Sequence, residues 1–347
     1  MKILKHIFSI SNDDVHKVIE IMGIKFKIYS CKLAIRKQEK AIQYLKTILD
    51  CTADITQSKP AKGTFRQLQI VRLKALKLVI KILEKNNLTY WLDFGTLLGA
   101  YRHKGFIPWD DDIDIAIPRD EYEQVKIILA DFFKNTKLSF NIGARKREFI
   151  ARITDLDLFF IYVDIFPYDY SNSQCSKEKL IEKLNDLKVN FYKKYDKKDF
   201  WHNKLDNNSI YDKLLEYYNK YKITTNNNAE KTYIFQGLDF HIHNKFKQSV
   251  HKIEEVFPLQ KMQFEDFMAN VPNDVVQYLS DCDEGNYGDI MSFPPMSAMC
   301  NHIIFKKLKD HKFQNELYEK EKYIDKLIQQ FEKHENNNTT LGLNKTS

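Results

Sequence analysis

Residues 91–117 read Trp-Leu-Asp-Phe-Gly-Thr-Leu-Leu-Gly-Ala-Tyr-Arg-His-Lys-Gly-Phe-Ile-Pro-Trp-Asp-Asp-Asp-Ile-Asp-Ile-Ala-Ile. A glycine-bearing turn at a strand end, around Gly95 and Thr96, is followed about fifteen residues on by Asp110, Asp111, Asp112 and Asp114. Asp112 and Asp114 alternate with isoleucines, and a strand places residues i and i+2 on one face. Both carboxylates then leave one side while Ile113, Ile115 and Ile117 pack on the other. Neighbouring carboxylates repel unless a cation sits between them. A hard ion with oxygen ligands, Mg²⁺ or Mn²⁺, suits that position. The stretch does not fit an EF-hand loop, which needs glycine at its sixth position and glutamate at its twelfth. An isolated acidic surface turn is the plain alternative, set aside because of the glycine turn upstream.

Around this stretch the pattern is that of an α+β protein. A helix is expected from Phe65 to Lys85, where Leu68, Val71, Leu76, Val79 and Leu83 recur at three- and four-residue spacing. Leu88 to Phe94 reads as a strand, and Ile113 to Ile117 as the next. Asp120-Glu121 opens a helix running to about Phe133, with acids suited to its first turn. A third strand group lies between Phe149 and Phe166.

Five regions follow. Residues 1–64 form a basic, helical segment, with residues 32–50 an amphipathic helix carrying Leu33, Ile35, Ile42, Leu45 and Ile48. Residues 65–170 are the catalytic core. Residues 171–250 are a lysine- and aromatic-rich helical insertion, an acceptor lobe, with nine lysines against five acids between Lys177 and Lys204. Residues 251–334 complete the core and add a closing helix from Lys312 to Lys333. Residues 335–347 are expected to be disordered.

Among 347 residues, 43% are hydrophobic and 29% charged, so a core is affordable and a membrane bundle is excluded. No apolar run approaches the roughly 18 residues that span a bilayer. The opening ten residues are too short for a signal sequence, and a cytoplasmic protein is expected. The five cysteines are scattered without a CxxC pair, so they are expected to be reduced thiols. The net charge of +7 favours an anionic partner. Its even spread argues against nucleic acid. The basic first 50 residues could dock on the inner face of the cytoplasmic membrane.

Trp91 to Asp114 resembles the LicD/fukutin family of phosphotransferases: Asp93-Phe94-Gly95-Thr96-Leu97-Leu98-Gly99, then Arg102 through Asp114, nearly unbroken. Arg66-Gln67-Leu68-Gln69, Val163-Asp164-Ile165-Phe166-Pro167, Val256-Phe257-Pro258, Phe264-Glu265 and Tyr287-Gly288-Asp289 carry the likeness from about residue 65 to 302. The insertion departs from it. The resemblance implies a nucleotidyltransferase-type core, a small mixed sheet flanked by helices. It implies transfer of a phospho-alcohol, phosphocholine foremost, from a CDP-activated donor such as CDP-choline to a sugar of lipopolysaccharide, teichoic acid or capsule.

Phosphoryl transfer asks for positioning and charge neutralisation. Asp112 and Asp114 are the expected metal ligands. Asp164 would complete the site or take the acceptor hydroxyl's proton, with Asp155 and Asp157 the competing pair. Gly95, Thr96 and Gly99 would let backbone approach a phosphate. Arg102 and Lys104 would bind phosphate. Asp110 and Asp111 would orient Arg102 or waters around the metal. Gln69 reads as a surface glutamine, Trp91 and Trp109 as core anchors beside the site, His241 and His243 as ordinary polar histidines, and His302 as a substrate contact or a packing or capping residue. Two other functions fit the same residues: a nucleotidyltransferase moving NMP onto a sugar, small molecule or RNA, and a non-catalytic binding module on this fold.

Overall fold

The computed structural model describes residues 8–13, 16–21, 24–145, 148–155, 162–194, 207–223, 230–238, 248–282 and 309–343. The chain divides into two compact units, residues 1–57 with 292–301, and 58–291 with 302–347.

In the first unit, β1 (Phe8–Asp13), β2 (His16–Ile21) and β3 (Ile24–Tyr29) form an antiparallel three-stranded sheet. The expectation of an all-helical opening is corrected here. Val18, Ile19 and Ile21 of β2 are β-branched, which favours a strand over a helix. Helix α1 (Cys31–Thr52) follows, close to its expected limits.

The second unit begins with α2 (Gly63–Lys85), whose Leu68, Val71, Leu76, Val79 and Leu83 are fully buried, as their spacing requires. The strand expected from Leu88 shrinks to β4 (Trp91–Leu92), because the chain turns at Asp93 into helix α3 (Phe94–His103). The Asp93 side chain caps that helix by accepting from the Phe94 N–H at 2.9 Å. The glycine turn is therefore the first turn of a helix. Next come β5 (Asp114–Pro118), α4 (Arg119–Phe133), β6 (Leu138–Arg145), β7 (Glu148–Asp155) and β8 (Tyr162–Ser171).

The insertion contributes α5 (Lys177–Lys194) and α6 (Asn207–Lys220), which share a small core of Leu180, Leu184, Phe191, Leu214 and Tyr218. Its aromatics Phe191, Tyr217 and Tyr218 are buried there rather than displayed to a sugar. It also returns two strands, β9 (Tyr233–Gln236) and β10 (Val250–Lys252), to the main sheet. Buried Asp169 of β8 fastens it: Arg119 donates to its carboxylate at 2.6 Å and Tyr218 at 2.9 Å.

The chain then forms α7 (Ile253–Val256), the hairpin β11 (Gln260–Phe264) and β12 (Phe267–Val271), α8 (Val275–Asp281) and α9 (His311–Leu343). Helix α9 runs past the expected end at residue 334 to Leu343, since no proline interrupts it. It lies along α2, with Lys74 paired to Glu321 at 2.7 Å and Lys81 to Glu332 at 2.9 Å.

The result is a mixed α+β unit. Its sheet of seven strands runs β10-β9-β8-β5-β4, with β7 pairing β8 and β6. β5 and β8 are parallel neighbours at its centre, and all five residues of β5 are buried. Among the described residues no helix is long and apolar enough to cross a membrane.

Candidate active site

The pairing of β5 with β8 sets the site. Asp114 and Asp164 are register partners on these parallel strands, so their side chains emerge side by side on one face. Both are buried. Burial pushes the Asp114 carboxyl well above the usual carboxylate range, and the negative charges of Asp112, Asp164, Asp110 and Asp93 push it further. Five acids thus press on one another in a small volume.

The donors are all hard oxygens, and their excess negative charge is what a divalent cation would neutralise, so the residues fit Mg²⁺ or Mn²⁺. Among the described residues Asp110, Asp111 and Asp112 form a three-carboxylate group, each offering an oxygen within 4.8 Å of the others. Asp110, read from the sequence as orienting neighbouring groups, therefore faces the same charge cluster as Asp112 and Asp114.

Asp111 is turned to a partner that sequence reasoning missed. Arg72 of α2, fully buried, brings Nη1 to 3.4 Å from Asp111 and 3.8 Å from Asp112. A charged residue on the apolar face of a helix was the available signal. Arg102 is also buried, but its Nε donates to His103 Nε2 at 3.1 Å. Burial and the charge of Arg102 bring the His103 imidazole down to about 4. Neutral His103 can therefore accept that hydrogen bond at pH 7.

Helix α3 spaces the remaining candidates. Thr96, in its first turn, accepts the Asp114 N–H on Oγ1 at 2.9 Å. Its hydroxyl oxygen thus fixes the strand that carries a candidate ligand. At 1.5 Å per residue, Arg102 lies about 9 Å and Lys104 about 12 Å along the axis from Thr96. Lys104 ends the helix in the left-handed region at φ 55° and its side chain is exposed.

Gly95 and Gly99 make room for protein groups. A Cβ on Gly95 would stand 2.5 Å from Asp110 Oδ2, and one on Gly99 would stand 2.4 Å from the Gly105 carbonyl oxygen. Gly99 thus lets the helix backbone lie directly on the returning loop 104–112.

That loop is held from two sides. Gln69, fully buried on α2, donates to the Ile107 and Asp110 carbonyls at 3.2 and 2.8 Å. The reading of Gln69 as a surface residue is corrected: its amide donates to two loop carbonyls, of which that of Ile107 also accepts the Asp110 N–H at 3.0 Å. At the β11–β12 turn, Glu265 takes a two-pronged pair from Arg66 at 2.9 and 2.6 Å and the Phe106 N–H at 3.1 Å. Its own N–H donates to the Lys104 carbonyl at 2.7 Å.

Beneath the site lies Asp93. Tyr168 donates to it at 2.7 Å and Tyr278 at 3.0 Å, while Trp91 Nε1 donates to the Tyr278 hydroxyl. Trp91 is fully buried and Trp109 packs partly buried on the core, as expected of anchors. Asp157, His241, His243, His302 and the Tyr287-Gly288-Asp289 stretch lie outside the described residues, as does the side chain of Asp155.

Comparison with known proteins converges on this region. Residues 87–200 match the LicD/FKTN/FKRP nucleotidyltransferase domain. The lipopolysaccharide cholinephosphotransferase LicD of Haemophilus influenzae is 40% identical over 93 residues, 27% of this chain and 34% of that protein. A protein of Rickettsia prowazekii is 37% identical over 92 residues, 26% of this chain and 34% of that one. The human ribitol 5-phosphate transferase FKRP is 29% identical over 112 residues, 31% of this chain and 22% of that one. The alignments thus span about a third or less of these relatives. The matched residues 87–200 hold α3, the aspartate loop and Asp164, so it is the segment carrying the acidic cluster that is similar to the LicD/FKTN/FKRP nucleotidyltransferase domain.

Proposed function

We propose that the protein transfers a phospho-alcohol from a CDP-linked donor to a sugar hydroxyl of a surface glycan or glycolipid. The observation that carries this reading is the register of Asp114 with Asp164 beside the Asp110–Asp112 loop, within the segment that matches the family. The two named transferases among the relatives differ in the alcohol phosphate in their names, choline phosphate and ribitol 5-phosphate. Phosphocholine comes first here, because the cholinephosphotransferase shares the higher identity.

Asp112 and Asp114, with Asp110 beside them, are the residues that would hold Mg²⁺ or Mn²⁺, which leaves the Asp164 carboxylate as the base. Bound there, the ion supplies neutralisation of the donor's phosphate oxygens. The sugar hydroxyl attacks the phosphorus that bears the alcohol, the bond to the cytidylyl oxygen breaks, and CMP leaves. The hydroxyl's proton passes to a carboxylate of this group, Asp164. Thr96 and Asp93 hold the two strands and α3 in place. A cytoplasmic site of action is part of the same proposal.

The test is incubation of the full chain with Mg²⁺ or Mn²⁺, a glycan acceptor and CDP-choline, CDP-ethanolamine, CDP-glycerol or CDP-ribitol, with CMP followed by mass spectrometry. Metal-dependent CMP release with the alcohol phosphate retained on the glycan is expected, and Asp112→Asn should lower it at least a hundredfold. Pyrophosphate release from a nucleoside triphosphate instead, or full activity of a folded Asp112→Asn protein, would overturn the proposal.

A further inference from the structure

A second cluster of ligating side chains lies where β10 meets α7 and α8. His251 of β10, Glu255 of α7 and Asp281 of α8 each offer one atom, and the three atoms lie within 4.8 Å of one another. The backbone fixes the elements that carry them. β10 runs directly into α7. The Asp274 N–H, at the start of α8, donates to the Glu255 carbonyl at 2.9 Å, and the Asn273 N–H donates to the Val256 carbonyl at 3.0 Å. None of the three residues belongs to the aspartate loop or to the supports described above. The Lys177 ammonium, at the start of α5, reaches both carboxylates, Glu255 Oε2 at 3.4 Å and Asp281 Oδ2.

His251 distinguishes the cluster from an ordinary ion pair. It is fully buried, and among the described residues neither of its ring nitrogens has a hydrogen-bond partner. A buried polar group left without one costs stability. Its Nδ1 stands 3.7 Å from Asp281 Oδ2, beyond hydrogen-bond reach. Two donors of one tetrahedral Zn²⁺ stand about 3.4 Å apart, given Zn–N and Zn–O bonds of about 2.0–2.2 Å. The gap therefore suits an ion shared by both. The face of the ring is already committed: it stacks on Tyr278 with centroids 3.9 Å apart and planes 13° from parallel. The ring edge is left to take a ligand. One imidazole and two carboxylates suit a borderline ion such as Zn²⁺, whereas Mg²⁺ keeps to oxygen.

We propose that His251, Glu255 and Asp281 form a Zn²⁺ site, with the ion entering as the Lys177 ammonium swings aside. Lys177 is the first residue of α5 and its side chain is 15% exposed, so its head has water to move into. The exchange also improves the charge balance. Two carboxylates and one ammonium leave a net negative charge, and Zn²⁺ in place of the ammonium leaves none. A water takes the fourth position. The ion joins β10, α7 and α8 beside Tyr278, whose hydroxyl donates to Asp93 at 3.0 Å. It thereby steadies a support of the aspartate site from outside that site.

The experiment is calorimetric titration of the metal-stripped full chain with Zn²⁺ in millimolar Mg²⁺, with thermal unfolding run in parallel. His251→Phe keeps a ring on Tyr278 but removes both nitrogens, and without metal it should be at least as stable as wild type. Wild type is expected to bind one more equivalent of Zn²⁺ than His251→Phe, and to gain more in melting temperature from it. Lys177→Met should tighten this extra site by about fivefold or more, since the ammonium no longer competes for the carboxylates. The extra equivalent should persist in Asp112→Asn, so the site is tested apart from the proposed transfer reaction. Equal Zn²⁺ uptake by wild type and His251→Phe, or none by either, would overturn the proposal and leave the cluster as an ion pair of Lys177. So would a Lys177→Met protein that binds Zn²⁺ no more tightly than wild type.

Discussion

Replacing Arg72 by Met tests whether a buried cation holds the aspartate loop together. The guanidinium is fully buried and lies 3.4 Å from Asp111 and 3.8 Å from Asp112. At an effective dielectric of about 20, each such pair is worth roughly 4–5 kcal/mol of Coulomb attraction. The cost of stripping water from the arginine offsets part of this. The Asp112 side chain is 33% exposed, so water screens its share, whereas that of Asp111 is 3% exposed. Methionine fills a similar volume but leaves the Asp111 carboxylate buried among other acids. The loss should therefore fall near the usual figure for breaking a buried pair, about 3–5 kcal/mol. In a unit of this size that lowers the melting temperature by roughly 5–9 °C. The assay is thermal and urea unfolding of wild type, Arg72→Met, Asp111→Asn and the double variant. If the uncompensated charge is the cause, Asp111→Asn added to Arg72→Met should recover at least about half of the loss. A double variant no more stable than Arg72→Met, or an Arg72→Met protein within 1 kcal/mol of wild type by order of magnitude, would refute the reasoning.

Gly99→Ala should destabilise by about 1–2 kcal/mol, although alanine is the better helix former by about 1 kcal/mol, because its Cβ would meet the Gly105 carbonyl oxygen at 2.4 Å and the Ile107 nitrogen at 3.2 Å. Displacement of the loop bearing Asp110–Asp112 should also lower CMP release, and a stabilised, fully active variant would count against the close approach. The Glu265 clamp predicts a pH dependence. Burial pushes the Glu265 carboxyl up, but the Arg66 hydrogen bonds and the Phe106 N–H outweigh it and hold the carboxyl below its usual range. A folded pKa below the unfolded value of about 4.3 means that the clamp stabilises fully above that pH and is lost as pH falls through the folded pKa. Wild type should accordingly lose its advantage over Glu265→Gln, about 1–3 kcal/mol at pH 7, between roughly pH 5 and 3. Parallel stability curves for the two proteins across that window would contradict it.

What could be seen in the sequence was what local spacing encodes. The 3.6-residue spacing of Leu68 to Leu83 gave α2, and the isoleucine alternation gave β5 with its one-sided aspartates. The turn into α3 was missed because Gly95 and Gly99 read as loop residues. Their glycine character instead answers to Asp110 and Gly105, atoms that only tertiary packing brings near. Helix α9 was cut short because asparagine-rich sequence reads as disorder by composition, while nothing in it forbids a helix.

The site's supports were hidden for the same reason: they are long-range pairs. Arg66 meets Glu265 across 199 positions, and Tyr278 meets Asp93 across 185. Neither partner carries a local signature of the other. This bears on what the family segment can do alone. Residues 87–200 contain Asp93, Thr96, Asp110–Asp114 and Asp164, but not Arg66, Gln69, Arg72, Glu265 or Tyr278. Without Gln69 the Ile107 and Asp110 carbonyls each lose a donor. Without Arg72 the buried Asp111 loses its countercharge. Without Tyr278 one oxygen of the Asp93 cap loses a hydroxyl. The matched segment supplies the chemical groups, and α2, the β11–β12 hairpin and α8 hold them in place. Substitutions in those flanks should therefore act on activity through the position of the loop.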